Sequence, residues 1–349
     1  MSQGVRYPLL FCAMHVDQRR GTIVESRHHV HVAVVDADGR LVAHAGDPDL
    51  VTFWRSAAKP FQAMPLVADG VADAFSLSRQ MLAIACASHS SEVAQVQLVR
   101  DFLALIGCSE RDLLCGPHPP LSDKVAKDYE TRGVRLTAVY SNCSGKHTAM
   151  LALARHHGWP TEFYTRLEHP VQQRCLAEVS RWSDVPVERI GVAVDGCGVA
   201  CFAIPLRNMA LAYGRLANAE VGTRNAEQQH EQLFRVPSSA FRVVEAMLRH
   251  PELLAGEGRP CTDMMRAHPG RVVTKVGADG VYSALLPQER LGVALKVADG
   301  HGASAALAMA AVLAELGLRP SPESLRSKPV TNWRGEPVGD LRVNGRLER

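Results

Sequence analysis

The sequence has no C-x-x-C pair, no long apolar run, no basic block and no internal repeat. Its nine cysteines are odd in number and irregularly spaced, which argues against a disulfide framework and for reduced thiols, most of them small buried hydrophobes. No segment reaches the ~18 consecutive apolar residues that cross a bilayer; the Ala-rich stretch 303 to 313 is short and runs into a glutamate. The first 20 residues hold one apolar patch, YPLLFCAM, with weak positive flanks and no small-residue cleavage pattern. No signal peptide is expected from it, and the protein is expected to be soluble and cytoplasmic, with no membrane partner. The formal net charge of +3 is spread without clusters, so the phosphate-neutralising stripe of a nucleic-acid binder is missing and nucleic acid is not an expected partner. Lysine is also scarce: of 39 basic residues 7 are lysine, leaving 32 arginines. Positive charge here is usually met by a side chain that cannot lose its proton, so each lysine among apolar neighbours stands out.

What the chain does have is length and apolar content, 349 residues and 46%, enough for a large core and a single catalytic unit over 1–349. Residues 22 to 35 alternate and then turn at DADG into RLVAHAG, which predicts a β-hairpin. From 56 to about 110 the apolar spacing is helical, and EVAQVQLVRDFLALIG ends at Gly107, a natural C-terminal cap. A short strand is expected at LTAVY, then a tight loop SNCSGKH and a helix TAMLALARHH halted by Gly158 and Pro160. Residues 189 to 206 predict a buried strand, a Gly-rich turn and a second apolar strand, 215 to 232 a surface helix and connector, and 266 to 299 a return to β patterning. The tail from 319 keeps apolar pairs suited to a sheet edge. Strands at both ends make the economical fold α+β: one antiparallel sheet from 1–55 and 266–349, with a mainly helical region, 56–265, inserted between them.

WRSAAKPFQ sets Ser56 three residues before Lys59, one helical turn apart and within reach. Pro60 is tolerated only in a first turn, so a helix begins near Ser56 and its positive end favours an oxyanion there. A free lysine, pKa ~10.4, is a poor base at neutral pH, and an apolar site with a second cation would be needed to lower it. The alternative is a capping serine with a snorkelling lysine. Lys275, in the chain's one K-x-G, sits at the end of a predicted strand; with S-x-x-K it gives the layout of penicillin-recognising serine enzymes, or is a surface charge before a hairpin. Ser88, in CASHSSE, is either a helix cap or a second hydroxyl turned into the site. Cys143 and Lys146 in NCSGKH, with Cys197 in DGCG, form a zinc-compatible set if the two loops meet; buried, unrelated cysteines are the alternative.

RSAAKPFQ, CASHSSE, NCSGKH, DGCG, TKVGADG and LKVADG, in that order, together with RGTIVESRHHVHVAVVDADGRLV and PVTNWRGEPVG, span nearly the whole chain. In this order they resemble the asparaginase II family, the rhizobial-type or class 3 L-asparaginases. The resemblance implies a fold similar to serine β-lactamases and glutaminases, hydrolysis of L-asparagine to L-aspartate and ammonia, and a homodimer. It implies two Ser-Lys pairs, Ser56 with Lys59 and Ser88 with Lys275, Ser56 being the nucleophile. It also implies one zinc ion on Cys143, Lys146 and Cys197, near the substrate rather than in the chemistry. On that reading Asp195 is expected to hold the substrate ammonium and Arg55 its carboxylate. A glutaminase, a β-lactamase-like amidase and a non-catalytic zinc-binding protein are the competing functions.

Overall fold

A computed structural model describes residues 14–219 and 238–349. The first strands are β1 (His15–Arg20), β2 (Ile23–Asp36), β3 (Leu41–Ala45) and the short β4 (Val51–Phe53); the middle of the chain adds β5 (Gly191–Val194) and β6 (Ala200–Pro205). The C-terminal third supplies β7 (Val273–Val276), β8 (Val281–Leu286), β9 (Leu291–Val297), β10 (Lys328–Thr331) and β11 (Pro337–Asn344). Eight of these form one antiparallel sheet in the order β10-β11-β1-β2-β9-β8-β7, with β3 also pairing β2. N- and C-terminal strands therefore interleave in an α+β fold, and the tail forms an edge as its apolar pairs suggest. β4, β6 and β5 make a separate three-stranded sheet.

The helices include α1 (Lys59–Ala63), α2 (Arg79–Ala85), α3 (Val93–Leu105), α4 (Ser144–His157), α5 (Pro170–Ser183), α6 (Leu206–Ala217), α7 (Ser238–Arg249) and α8 (Gly302–Glu315). Period-two alternation in the sheet sorts its side chains between two cores. Ala33, Val35, Leu285 and Ala294 pack with α6 and the helical region, while Val32, Val34, Ala284, Val293 and Leu295 pack with α8 on the other face. Apolar all round, α8 is almost wholly buried against the sheet. The expected stops hold: α3 ends just before Gly107, at φ +70°, and α4 is closed by Gly158 in the left-handed region.

Three local expectations need correction. LTAVY is no strand: Ala138–Tyr140 is a 3₁₀ turn, because the chain is about to enter α4 and has no strand among the described residues to pair with. The stretch predicted as a buried strand, β5, is an exposed edge of the small sheet, and only β6, its central strand, is buried; periodicity over four apolar residues does not tell the two apart. The helix expected from 215 is the end of α6, which stops at Ala217, and 220–232 lies outside the described residues.

Candidate active site

Trp54 fixes the segment that carries Ser56. It is fully buried, stacks on Phe61 at 4.8 Å and donates from Nε1 to Ser283 Oγ at 3.1 Å. Tyr213 meets Phe61 edge-on and donates to the carbonyl of Ala57 at 2.7 Å. Each aromatic pair is worth ~0.5–1.5 kcal/mol beyond its area, so the turn is held from three sides. Arg55–Ala58 is a 3₁₀ turn leading directly into α1, with Pro60 in the first turn of that helix. Arg55, a non-glycine residue at φ +52°, carries the backbone strain that accompanies functional turns and sets Ser56 at the lip of a cavity of about 280 Å³. Asn142, Cys143, Asp195, Cys197, Arg55 and His118 also line it.

Behind Ser56 lies a dry cluster of two lysines and a serine. Lys59 and Lys275 have no exposed surface and Ser88 almost none. Ser88 Oγ accepts from Lys59 Nζ at 3.0 Å and from Lys275 Nζ at 2.8 Å. Lys59 also donates to the carbonyls of Ala87 and Asn142, and Lys275 to that of Val276. Burial first, and the charge of Lys59 second, push Lys275 down to about 7. Neither surface alternative for these lysines holds, and Ser88 is not a helix cap: α3 is capped by Glu92 in a capping box with Gln95. One expected contact is not made. Lys59 Nζ turns to the buried oxygens of 87, 88 and 142, and among the described residues Ser56 has no hydrogen bond to it.

Two close approaches build this cluster. A Cβ on Gly145, in the first turn of α4, would lie 2.2 Å from the carbonyl oxygen of Ile84, so NCSGK rides directly on the end of α2 that leads to Ser88. A Cβ on Gly277 would lie 3.0 Å from the carbonyl of Trp54, which brings the K-x-G end of β7 against the Ser56 turn.

Toward the cavity mouth, Arg55 binds Asp195 at 2.9 Å and also pairs with Asp279. Burial raises the Asp195 carboxyl, but Lys146 and Arg55 outweigh it and hold the carboxyl below its usual range. The two loops bearing Cys143 and Cys197 do meet. Cys143 stands at the N-terminal cap of α4, and its thiol is held well below the ordinary range by a hydrogen bond from Cys197, against the pull of burial; Cys197 is pushed up correspondingly. Lys146 Nζ lies 3.0 Å from Cys197 Sγ. Burial lowers Lys146, but Cys143, Cys197 and Asp195 more than offset this and raise it. Two sulfurs and one amine thus converge where cationic charge is already favoured, a donor set that suits zinc once Lys146 and Cys197 give up protons. Among the described residues no three His, Cys, Asp or Glu side chains form a metal group.

Sequence reasoning missed His118 and Asn142. The signal was present in CGPHPP, a histidine locked between prolines, and in the residue immediately before Cys143.

Comparison with curated proteins gives no match. Among solved structures, Mglu in its native form is similar over 84% of this chain and 67% of its own, at 16% identity and a TM-score of 0.45. Mglu in its glutamate form is similar over 83% and 61%, at 16% identity and TM-score 0.45, so this chain spans about two thirds or less of those relatives. Simvastatin synthase (LovD6 mutant) from Aspergillus terreus is similar over 77% and 84%, at 12% identity and TM-score 0.35. No helix among the described residues is long and apolar enough to cross a membrane. The model of L-asparaginase II matches residues 16–343, and the chain belongs to that family and, with it, to the amidohydrolases.

Proposed function

We propose that the protein hydrolyses L-asparagine to L-aspartate and ammonia through an acyl-enzyme on Ser56. The observation that carries the reading is a cavity-facing serine, Ser56, on a strained turn against which Gly277 brings the end of β7 that bears Lys275, a buried amine whose pKa of about 7 suits proton transfer at neutral pH. Ser56 Oγ attacks the side-chain carbonyl carbon and its proton passes into the Ser88, Lys59 and Lys275 cluster. The carbon–nitrogen bond breaks, the proton returns to the departing nitrogen, and ammonia leaves. Water then attacks the ester and aspartate departs, freeing Ser56. Because Lys59 Nζ bonds to the hydroxyl of Ser88 and not to that of Ser56, the serine–lysine pairs act as one relay with Ser88 between the amines.

Asp195 and Arg55 hold the ammonium and carboxylate of the substrate, Arg55 exchanging Asp279 for the incoming carboxylate. A zinc ion held by Cys143, Lys146 and Cys197 would supply positive charge beside the cavity for orienting the substrate. The homodimer belongs to the same family-based reading. Glutamine is the near rival, since one methylene is worth only ~1–3 kcal/mol in many pockets.

The test is ammonia release from L-asparagine and L-glutamine, by wild type and Ser56→Ala. Turnover of asparagine that is lost in the variant supports the nucleophile. Full turnover by Ser56→Ala sinks the mechanism, cleavage of a coloured cephalosporin in its place points to a β-lactamase-like amidase, and no release by folded, zinc-loaded protein leaves the zinc-binding reading.

A further inference from the structure

His118 touches Asn142 twice, and hydrogen-bond accounting then decides which way the asparagine faces. His118 Nδ1 lies 2.7 Å from the carbonyl oxygen of Pro119, which has no proton to give. Nδ1 therefore carries the hydrogen. The backbone N–H of Asn142 donates to Nε2 at 2.9 Å, so Nε2 carries a lone pair and the ring is the neutral Nδ1–H tautomer. It is Oδ1 of the Asn142 side-chain amide that the structure places 3.0 Å from Nε2. An oxygen there would set acceptor against acceptor, whereas the amide nitrogen would donate; which atom stands at which end of an amide is fixed by this kind of bookkeeping. The far end of the amide makes no hydrogen bond to protein among the described residues, and Asn142 lines the cavity together with Ser56.

We infer that His118 is a positioning residue that holds the Asn142 amide with its nitrogen on the ring and its oxygen toward the cavity, where it accepts an N–H of the substrate's carboxamide. The backbone carbonyl of the same residue accepts from Lys59, which ties Asn142 to the lysine cluster as well as to the cavity it lines with Ser56. The consequence is discrimination. A carboxamide has N–H donors to offer that oxygen, while the carboxylate of the product has only acceptors and is repelled, which speeds its loss. The inference rests on the amidohydrolase reading, with asparagine as the substrate.

The experiment compares the inhibition constant of L-aspartate with KM for L-asparagine. His118→Phe keeps an aromatic ring and removes all three of its hydrogen bonds, the two to Asn142 included, freeing the amide to turn its N–H₂ to the product. Aspartate inhibition is then expected to tighten relative to KM by about tenfold, the scale of one polar contact reversed, with kcat changed less than KM. In an Asn142→Ala background the same His118→Phe change is expected to have no further effect on that ratio. An unchanged ratio in folded His118→Phe, or an equal change in both backgrounds, overturns the inference. So does an Nε2–H tautomer for His118 in long-range ¹H–¹⁵N correlation spectra of the wild type, a readout independent of turnover. Wild type that shows the Nδ1–H tautomer but releases no ammonia places the failure in the functional reading, and the substrate named here falls with it.

Discussion

The Oγ of Ser88 lies 2.8 Å from Nζ of Lys275, and with Lys59 on its other side this hydroxyl is shared by two buried amines. Burial and the Lys59 charge bring Lys275 down to about 7, which makes it the group able to take a proton at neutral pH. The protonated amine cannot act as a base. The expected kcat/KM profile therefore falls as pH drops through about 7 and is flat for about two units above it. Initial rates of ammonia release between pH 5 and 9 test this; an acid limb near 4, or none, assigns the proton to another group.

The same shift has a cost in stability, and its sign follows from proton counts. Below about pH 7 the folded protein carries a buried ammonium and the penalty is complete. Between 7 and the ordinary lysine value of ~10.4, the unfolded chain binds a proton that the folded one does not, so stability rises with pH. Lys275→Met is expected to abolish turnover and yet to be more stable than wild type at pH 6, by up to roughly 4 kcal/mol. The gain should shrink toward pH 10. Thermal unfolding at the two pH values measures it, and a gain independent of pH contradicts the assignment.

Much of the sheet was legible because it rests on period-two alternation and on turn residues, both local signals, and β2, β3 and β7 to β9 follow from them. The 3₁₀ turn at Ala138–Tyr140 was not, since the five residues LTAVY that contain it have strand-like composition and only the absence of a partner strand among the described residues decides against it. At the site, the residue types were readable and the partners of Lys59 were not. Ser56 and Lys59 are a turn apart in sequence, but the lysine's long side chain is drawn to oxygens contributed from 28, 29 and 83 residues away. His118 escaped for the same reason: its partner lies 24 residues on, and nothing local marks a histidine as fixing a distant amide.

Gly145 offers a test of how the cluster is assembled. A side chain there meets the backbone oxygen of Ile84 at 2.2 Å, and a backbone atom at the end of a packed helix has little room to give. Gly145→Ala is expected to destabilise the fold by ~1–3 kcal/mol, despite the better helix propensity of alanine, and to lower kcat by shifting Asn142, Cys143 and Lys146 away from Ser88. Urea unfolding together with turnover checks both. A variant as stable as wild type means that the two segments are not in fixed contact.

The sulfur pair provides the last test, because zinc binding there must exchange protons. Cys143 is held below its ordinary range chiefly by the Cys197 hydrogen bond, and Lys146 is raised by the sulfurs and by Asp195. A metal must displace the protons on Lys146 and Cys197, so its affinity is expected to climb with pH and its binding to release protons into a weakly buffered solution. Replacing either sulfur, Cys143→Ser or Cys197→Ser, is expected to abolish stoichiometric zinc in purified protein. Lys146→Met should weaken it less, because the two sulfurs remain. Metal analysis after dialysis, with proton release followed by calorimetry in buffers of different ionisation enthalpy, reads these out. Zinc retained by both serine variants moves the metal away from this pair, and no zinc in wild type at any pH leaves Lys146 as the site's own cation, its ammonium balancing the Cys143 thiolate and the Asp195 carboxylate.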